Sequence, residues 1–497
     1  MSIPFILCCV WRDAAQYLRD KGRSAMPSVS RVEVPDIDTP RAADSGRLIF
    51  ALIARLHFLA GLLVGPFILV AALSGLFYAL TPQLENWIYS EQLFTESQGP
   101  AVPLKLQIEA AENHLGESDV RLAAVRPAPE PGDTTRVMFA GEGLKAFEHL
   151  AVFIDPVTAE PRGDLRVYGT TGVLPLRNWI GDMHRRLFLG EWGRVYSELA
   201  ASWLWLIALG GLTIWLVRKR QSRPVEAGPA PGPRRWHGLL GVILLIALLF
   251  FSATGLTWSK WAGGNIGVAR AAFGMSTPGL STRLAGEDST ADIHAHHLQE
   301  TVGTEAAVDY SLIDAILTSA RAAGIDATKL EITPAKAPDQ AWSVVEIDRG
   351  WPTQVDAVAI DPHSMTVTDE IEFANFPVAG KLTRWGIDAH MGTLFGLANQ
   401  IILIVSALGV VTMVALGYII WWRRRPLPNS GRGGVIQAWV RLSSRGKAGA
   451  VLVAVLLGLS LPVFGASLLL LLVIDMATEK FSRLKSREDF VSGQTKG

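Results

Sequence analysis

Residues 55–80 read RLHFLAGLLVGPFILVAALSGLFYAL, and residues 235–258 read RWHGLLGVILLIALLFFSATGLTW. Each run is long and apolar enough to cross a bilayer, whose hydrocarbon core takes about 20 residues of helix. Each has a histidine near its start and a small hydroxyl residue followed by Gly-Leu near its end. The step from His57 to Ser74 equals the step from His237 to Thr254, 17 residues in both cases. Two apolar helices built on one pattern point to a duplicated membrane protein.

The duplication continues beyond the helices. Asp155-Pro156 precedes His184 by the same 29 residues that separate Asp361-Pro362 from His390. Trp179, Asp182 and His184 recur as Trp385, Asp388 and His390 at identical offsets, and a Leu-Phe pair follows each set. Both copies enter the membrane from one side, so the repeat is parallel rather than inverted.

Five apolar blocks stand out: 48–80, 197–217, 236–260, 397–422 and 448–474. The connection after the second carries Arg218, Lys219, Arg220, Arg223, Arg234 and Arg235 against one acid, Glu226. The stretch after the fourth carries seven basic residues and no acid. By the positive-inside rule both are cytoplasmic, which sends the long connections to the periplasmic face. The expected organisation is an N-terminal cytoplasmic extension (1–46), transmembrane helix 1 (47–80) and a first periplasmic domain (81–196). Helix 2 (197–218), a Pro/Gly-rich linker (219–235) and helix 3 (236–260) follow. A second periplasmic domain (261–396), helix 4 (397–422), a cytoplasmic loop (423–447), helix 5 (448–474) and a tail (475–497) complete the order. The fold class is therefore a membrane α-helical bundle of four to five transmembrane helices, a tandem parallel repeat with two extramembrane α+β domains. In the first domain the pattern predicts a helix at 104–115 and strands at 120–126, 135–140 and 149–154. In the second it predicts a helix at 311–323 and strands at 328–333, 341–347 and 354–360.

Composition removes several function classes. With 46 basic and 46 acidic residues the chain has no net charge to attract nucleic acid. Its two cysteines, Cys8 and Cys9, are adjacent and build no disulfide framework, and there is no Cys-x-x-Cys-His, so any haem is held noncovalently. The sequence holds no Walker, Gly-x-Gly-x-x-Gly or His-Glu-x-x-His motif.

Of ten histidines, the repeat selects four. His57 and His237 fall at the cytoplasmic ends of helices 1 and 3; His184 and His390 fall just ahead of helices 2 and 4, on the opposite side. A histidine at a helix end is ordinarily an interfacial polar residue with one backbone hydrogen bond. Four at repeat-equivalent positions, paired by side, instead suit axial ligation of haem iron by neutral imidazole. The expected pairs are His57/His237 for an inner haem b and His184/His390 for an outer one, two haems per chain, because a core of about 30 Å is too thick for a single macrocycle to bridge. Arg55, Arg234 and Arg235 are placed to meet the inner propionates, and Arg185, Arg186 and Arg384 the outer ones. Asp182 and Asp388 are candidates to take the second imidazole proton. His294, His296 and His297, with Asp292 nearby, have no counterpart in the first half and read as a solvated loop. A permease is disfavoured, because the sequence shows neither a broken helix pair nor a charged midplane residue.

The quoted helices, the DPVTAEP turn (155–161) with WIGDMHRRLFLG (179–190), and IDPHSMTVTDEI (360–371) with WGIDAHMGTLFG (385–396) resemble the PepSY-associated transmembrane proteins, over about residues 47–425. The resemblance implies PepSY domains outside the membrane. It also implies kinship with ferric-siderophore reductases, iron-regulated inner-membrane proteins that carry two b-type haems. In that reading His57, His237, His184 and His390 bind haem iron, and electrons from a quinol or a cytoplasmic flavoprotein reach a periplasmic iron–siderophore. Reduction loosens the chelate because hard oxygen ligands favour Fe(III) over Fe(II). The alternative is a non-catalytic PepSY membrane protein that binds or regulates a peptidase or transporter. The N-terminal extension and the block at 448–474 fall outside both repeats, so neither is assigned a ligand.

Overall fold

The computed structural model describes residues 45–494 apart from 117–118, 146, 170–171, 222–231, 285–308, 424–438 and 441. Cys8, Cys9, the group at His294, His296 and His297 and most of the basic loops lie outside the described residues. The chain divides into Met1–Ser45 and Gly46–Gly497, and the second unit carries everything below.

The first apolar block forms α1 (Ser45–Leu63) and α2 (Gly65–Ala79), followed by short helices α3 (Thr81–Ile88) and α4 (Ser90–Leu93). Then come α5 (Leu104–Leu115) and strands β1 (Val120–Arg126), β2 (Thr135–Gly141), β3 (Glu148–Ile154) and β4 (Pro161–Tyr168). Helix α6 (Pro175–Arg186) leads into the long α7 (Gly190–Gln221). The second half repeats this with α8 (Pro233–Ile243), α9 (Leu245–Thr257), α10 (Trp261–Ala272), α11 (Ile313–Ala322), β5 (Leu330–Thr333), β6 (Trp342–Glu346), β7 (Ala357–Ile360) and β8 (Val367–Ile371). Next are α12 (Val378–Met391) and α13 (Gly396–Arg423), and beyond the repeats α14 (Ser444–Ser460) and α15 (Pro462–Gln494).

Among the described residues, α7 and α13 are each long and apolar enough to cross a membrane, and the pairs α1–α2 and α8–α9 are too if each counts as one span. Contrary to the expectation of unbroken helices, those pairs are bent by 57° and 60°, at Val64 and Leu244. At the first bend Pro66 has no N–H for the Leu62 carbonyl four residues back. The Tyr418 phenol donates to that carbonyl instead, at 2.6 Å. At the second bend Leu244 fits a notch at Gly409, where a Cβ would come within 2.8 Å of its side chain. Both breaks are thus filled by packing. The block expected to carry helix 5 (448–474), interrupted in the sequence by Pro462, forms two helices broken at Leu461. Pro462 cannot donate to Gly458, and Gly465 lies so close to Gly458 that a Cβ on it would fall 2.8 Å from the Gly458 Cα.

The bundle core draws on both repeats and on the added helices: Leu59, Ile68, Trp203, Leu248, Val410, Phe464 and Leu471 are buried together. Trp203 also donates to Ser467 Oγ at 2.8 Å, tying α7 to α15.

The two α+β segments are not separate domains. All eight strands form one antiparallel sheet in the order β4-β3-β2-β1-β5-β6-β7-β8, joined where Val125 of β1 faces Ile332 of β5. Helices α5 and α11 cover one face, and their Ile108, Ala111, Ile313 and Ile316 share a single core with strands of both halves. Polar contacts reinforce the seam. Asp314 accepts from the Leu104 and Lys105 amides, capping α5 from the other half. Tyr310 donates to Glu112 at 2.6 Å, and Arg126 pairs with Glu331 at 2.6 Å. The two outermost strands, β4 and β8, escaped the hydrophobic pattern because edge strands are partly exposed and polar, as PRGDLRVY and VTDEI are.

The Asp-Pro turns have a plain cause. Asp155 accepts from the backbone amides of Val157 and Thr158 and from the hydroxyls of Thr95 and Ser97. Burial raises its pKa, but these hydrogen bonds outweigh it and hold the carboxyl at about 2. A pKa lowered on folding stabilises the native state above the ordinary value of 3.8, and that contribution disappears as pH falls through about 2. Asp155→Ala is therefore expected to cost the protein about 1–3 kcal/mol at neutral pH, with the difference from wild type closing below pH ~3. Thermal melts across pH read this directly; a pH-independent difference would refute it.

Candidate functional site

The repeat brings its four histidines together as two pairs. His57 in α1 and His237 in α8 have ring centroids 6.3 Å apart, with planes at 76°. His184 in α6 and His390 in α12 are also 6.3 Å apart, at 61°. The first pair lies toward the basic end of α7, where Arg218 acts on His57, and the second toward the sheet.

Each ring is held by its Nδ1. His57 donates to the Ile207 carbonyl and His237 to the Met413 carbonyl, both at 2.9 Å. A carbonyl only accepts, so the proton is on Nδ1 and Nε2 keeps its lone pair. In an α-helix these carbonyls lie under the side chain four residues on, which covers the turn N-terminal to its own Cα. The residues there are Gly211 and Gly417, and a Cβ would come within 3.0 and 3.5 Å of the His57 and His237 rings. The glycines thus open the helix surface to the imidazoles.

On the sheet side the acceptors are hydroxyls. His184 Nδ1 lies 2.9 Å from Ser74 Oγ, and His390 Nδ1 lies 2.7 Å from Thr254 Oγ1. Each hydroxyl has one hydrogen, which it gives to a backbone carbonyl of its own helix, Val70 or Phe250, at 2.7 Å. The oxygen must therefore accept from the imidazole, and the Nε2 lone pairs are again left available. This accounts for the spacing of 17 in the first two motifs: His57 and Ser74 serve opposite pairs on one bent span.

Two imidazoles sharing one metal through Nε2 would have their ring centroids roughly 6 Å apart. Both pairs have that separation. A family model described as the PepSY-associated TM region matches residues 54–424, about three quarters of the chain. The chain belongs to this family. No curated protein matches the sequence. All four histidines of this PepSY-associated TM protein fall inside the matched region, whereas α14 and α15 lie beyond it.

Several other expectations for the site change. Asp182 and Asp388 do not touch the imidazoles: Asp182 faces Arg186 at 3.7 Å, and the fully buried Asp388 lies 2.9 Å from Arg384 and 4.0 Å from Arg349. Four-residue spacing to an arginine on the same helix decides their role. Arg384 is thereby engaged with a carboxylate rather than placed for a propionate. Arg55 is likewise taken by Asp475 of α15, at 2.7 Å. Arg234 and Arg235 are exposed at the start of α8.

The residues fit a haem on three counts: imidazole pairs at the metal-bridging distance, tautomers that present Nε2, and small or flat neighbours. Gly61, one turn after His57, faces space in which a Cβ would meet nothing within 4 Å. Phe250, Phe251 and Trp258 surround His390 at 5.5–6.2 Å. The spacing marked Ser74 and Thr254 as part of the repeat without giving their role, and it did not expose Gly211 and Gly417. The recurrence of a glycine four residues after each acceptor carbonyl was the available signal.

Proposed function

We propose that this chain is a haem-containing reductase of the cytoplasmic (inner) membrane that passes electrons to a ferric chelate, an iron–siderophore complex, on the periplasmic side. The observation that carries the reading is the pair of 6.3 Å histidine contacts with all four Nδ1 atoms already engaged. Haem b held there supplies reversible one-electron chemistry. The protein's own part is to fix the rings. Backbone carbonyls and hydroxyls set the tautomer and raise the basicity of Nε2, and Phe250, Phe251 and Trp258 would shield the His390 side of a bound group from water. His57/His237 lie toward the basic segments that the positive-inside rule puts in the cytoplasm, the side on which a quinol or flavoprotein donor acts. His184/His390 lie toward the sheet, the side of the acceptor.

A reduced-minus-oxidised visible spectrum with haem quantified on detergent-purified protein tests this. Two b-type haems per chain are expected. His57→Ala or His237→Ala should remove one haem and His184→Ala or His390→Ala the other, so that each single variant retains one. Protein without haem, after expression with ample iron and haem supply, overturns the proposal and leaves a non-catalytic PepSY membrane protein that binds a peptidase or transporter.

A further inference from the structure

The loop between β6 and β7 and the turn joining α12 to α13 enclose an open cleft of about 670 Å³. The Trp351 amide donates to the Leu394 carbonyl at 2.8 Å and fixes the two rims. One wall is aromatic: Trp351 and Phe395, 60% and 56% exposed, have ring centroids 6.0 Å apart. The floor is cationic. Arg349 lines it and, with Arg384 behind the lining, flanks the single carboxylate of Asp388, which leaves one positive charge in excess, while Lys329 at the rim is offset by Asp348 at 3.4 Å. Burial, then the neighbouring Arg384, lowers the Arg349 pKa to about 10, so it stays charged at neutral pH.

The cleft adjoins the sheet-side histidines. Gly392 and Thr393 line it two and three residues after His390, and Arg349 Nη1 lies 3.8 Å from Met391 Sδ. The corresponding end of the first repeat has the exposed Trp179–Phe188 pair, 5.2 Å apart, with Asp182 facing Arg186 at 3.7 Å.

We propose that this cleft is the acceptor site and that it selects anionic chelates with aromatic rings, of the ferric catecholate class, over neutral ferric trihydroxamates. This rests on the reductase reading above. The rings stack on Trp351 and Phe395, and Arg349 faces the charge. In the reaction one electron, originating in the quinol or flavoprotein donor, converts Fe(III) to Fe(II). No bond to the protein forms, and the complex gains one negative charge, which the excess cation favours.

The test uses gallium(III) complexes, which bind as the ferric ones do but are not reduced. Binding of a gallium tris-catecholamide and of a neutral gallium trihydroxamate is measured by calorimetry on the full-length protein in zwitterionic nanodiscs. The catecholamide is expected to bind at least tenfold more tightly. Arg349→Gln and the surface change Trp351→Ala should each weaken it about tenfold or more, with far-UV circular dichroism unchanged. Equal binding of the two complexes, no binding of either, or indifference to Trp351→Ala overturns the proposal. Complete loss of catecholamide binding in phosphatidylglycerol nanodiscs overturns it in favour of a lipid-headgroup site. Because no electron transfer is measured, a haem-containing protein that fails to bind gallium complexes refutes this inference alone. A haem-free protein refutes the reductase reading whatever it binds.

Discussion

Asp475→Ala is expected to destabilise the protein strongly. Asp475 is 1% exposed and receives both Nε and Nη2 of Arg55, at 3.1 and 2.7 Å. Removing one partner of such a pair strands the other charge in apolar surroundings, at a cost of about 3–5 kcal/mol. The Arg55 side chain retains 31% exposure, which places the loss toward the lower end of that range. The variant should melt several degrees lower in detergent. Arg55→Leu with Asp475→Leu should recover most of the loss, because two apolar side chains leave no stranded charge. A double variant no better than the single one would mean that Asp475 acts through other contacts.

Gly193→Ala should be comparably damaging, for a steric reason. Between α6 and α7 the chain reverses through Leu187 and Phe188, both in the left-handed region, at φ 51° and 59°. The start of α7 therefore passes directly over the end of α6, and a Cβ on Gly193 would fall 1.7 Å from the Arg186 carbonyl oxygen. No side-chain rotation relieves a clash with backbone, so α6 must move, and His184 moves with it. Overpacking usually costs about 1–3 kcal/mol, and this case belongs at or above the top of that range. Gly267→Ala, in α10 where a Cβ meets nothing within 4 Å, is the control and should be neutral or slightly stabilising. Equal melting temperatures for the two variants would refute the argument.

What the sequence made legible follows from what side-chain identity can signal. The repeat, the apolar blocks and the histidines are patterns of residue type. They placed α5 at Leu104–Leu115 and most of the central strands within a few residues. The partners of His57 and His237 are backbone carbonyls of Ile207 and Met413, which any residue would offer, so identity said nothing of them. Only the glycines at 211 and 417 left a trace. Asp182 and Asp388, candidates by nearness in sequence alone, point instead to Arg186 and Arg384 one turn away on their helices. The fusion of two domains into one sheet was equally hidden, since β1 and β5 are ordinary strands whose joining depends on the edges meeting.

That seam has a mechanical meaning. Transport by alternating access needs the halves of a repeat protein to rock against each other. Here the halves share a sheet, a hydrophobic core and a helix cap, so rocking would have to tear strand from strand outside the bundle. The sheet acts as a yoke across the two repeats. It resists relative movement of the two repeats at the end where His184 and His390 meet, like a clamp closed across one end.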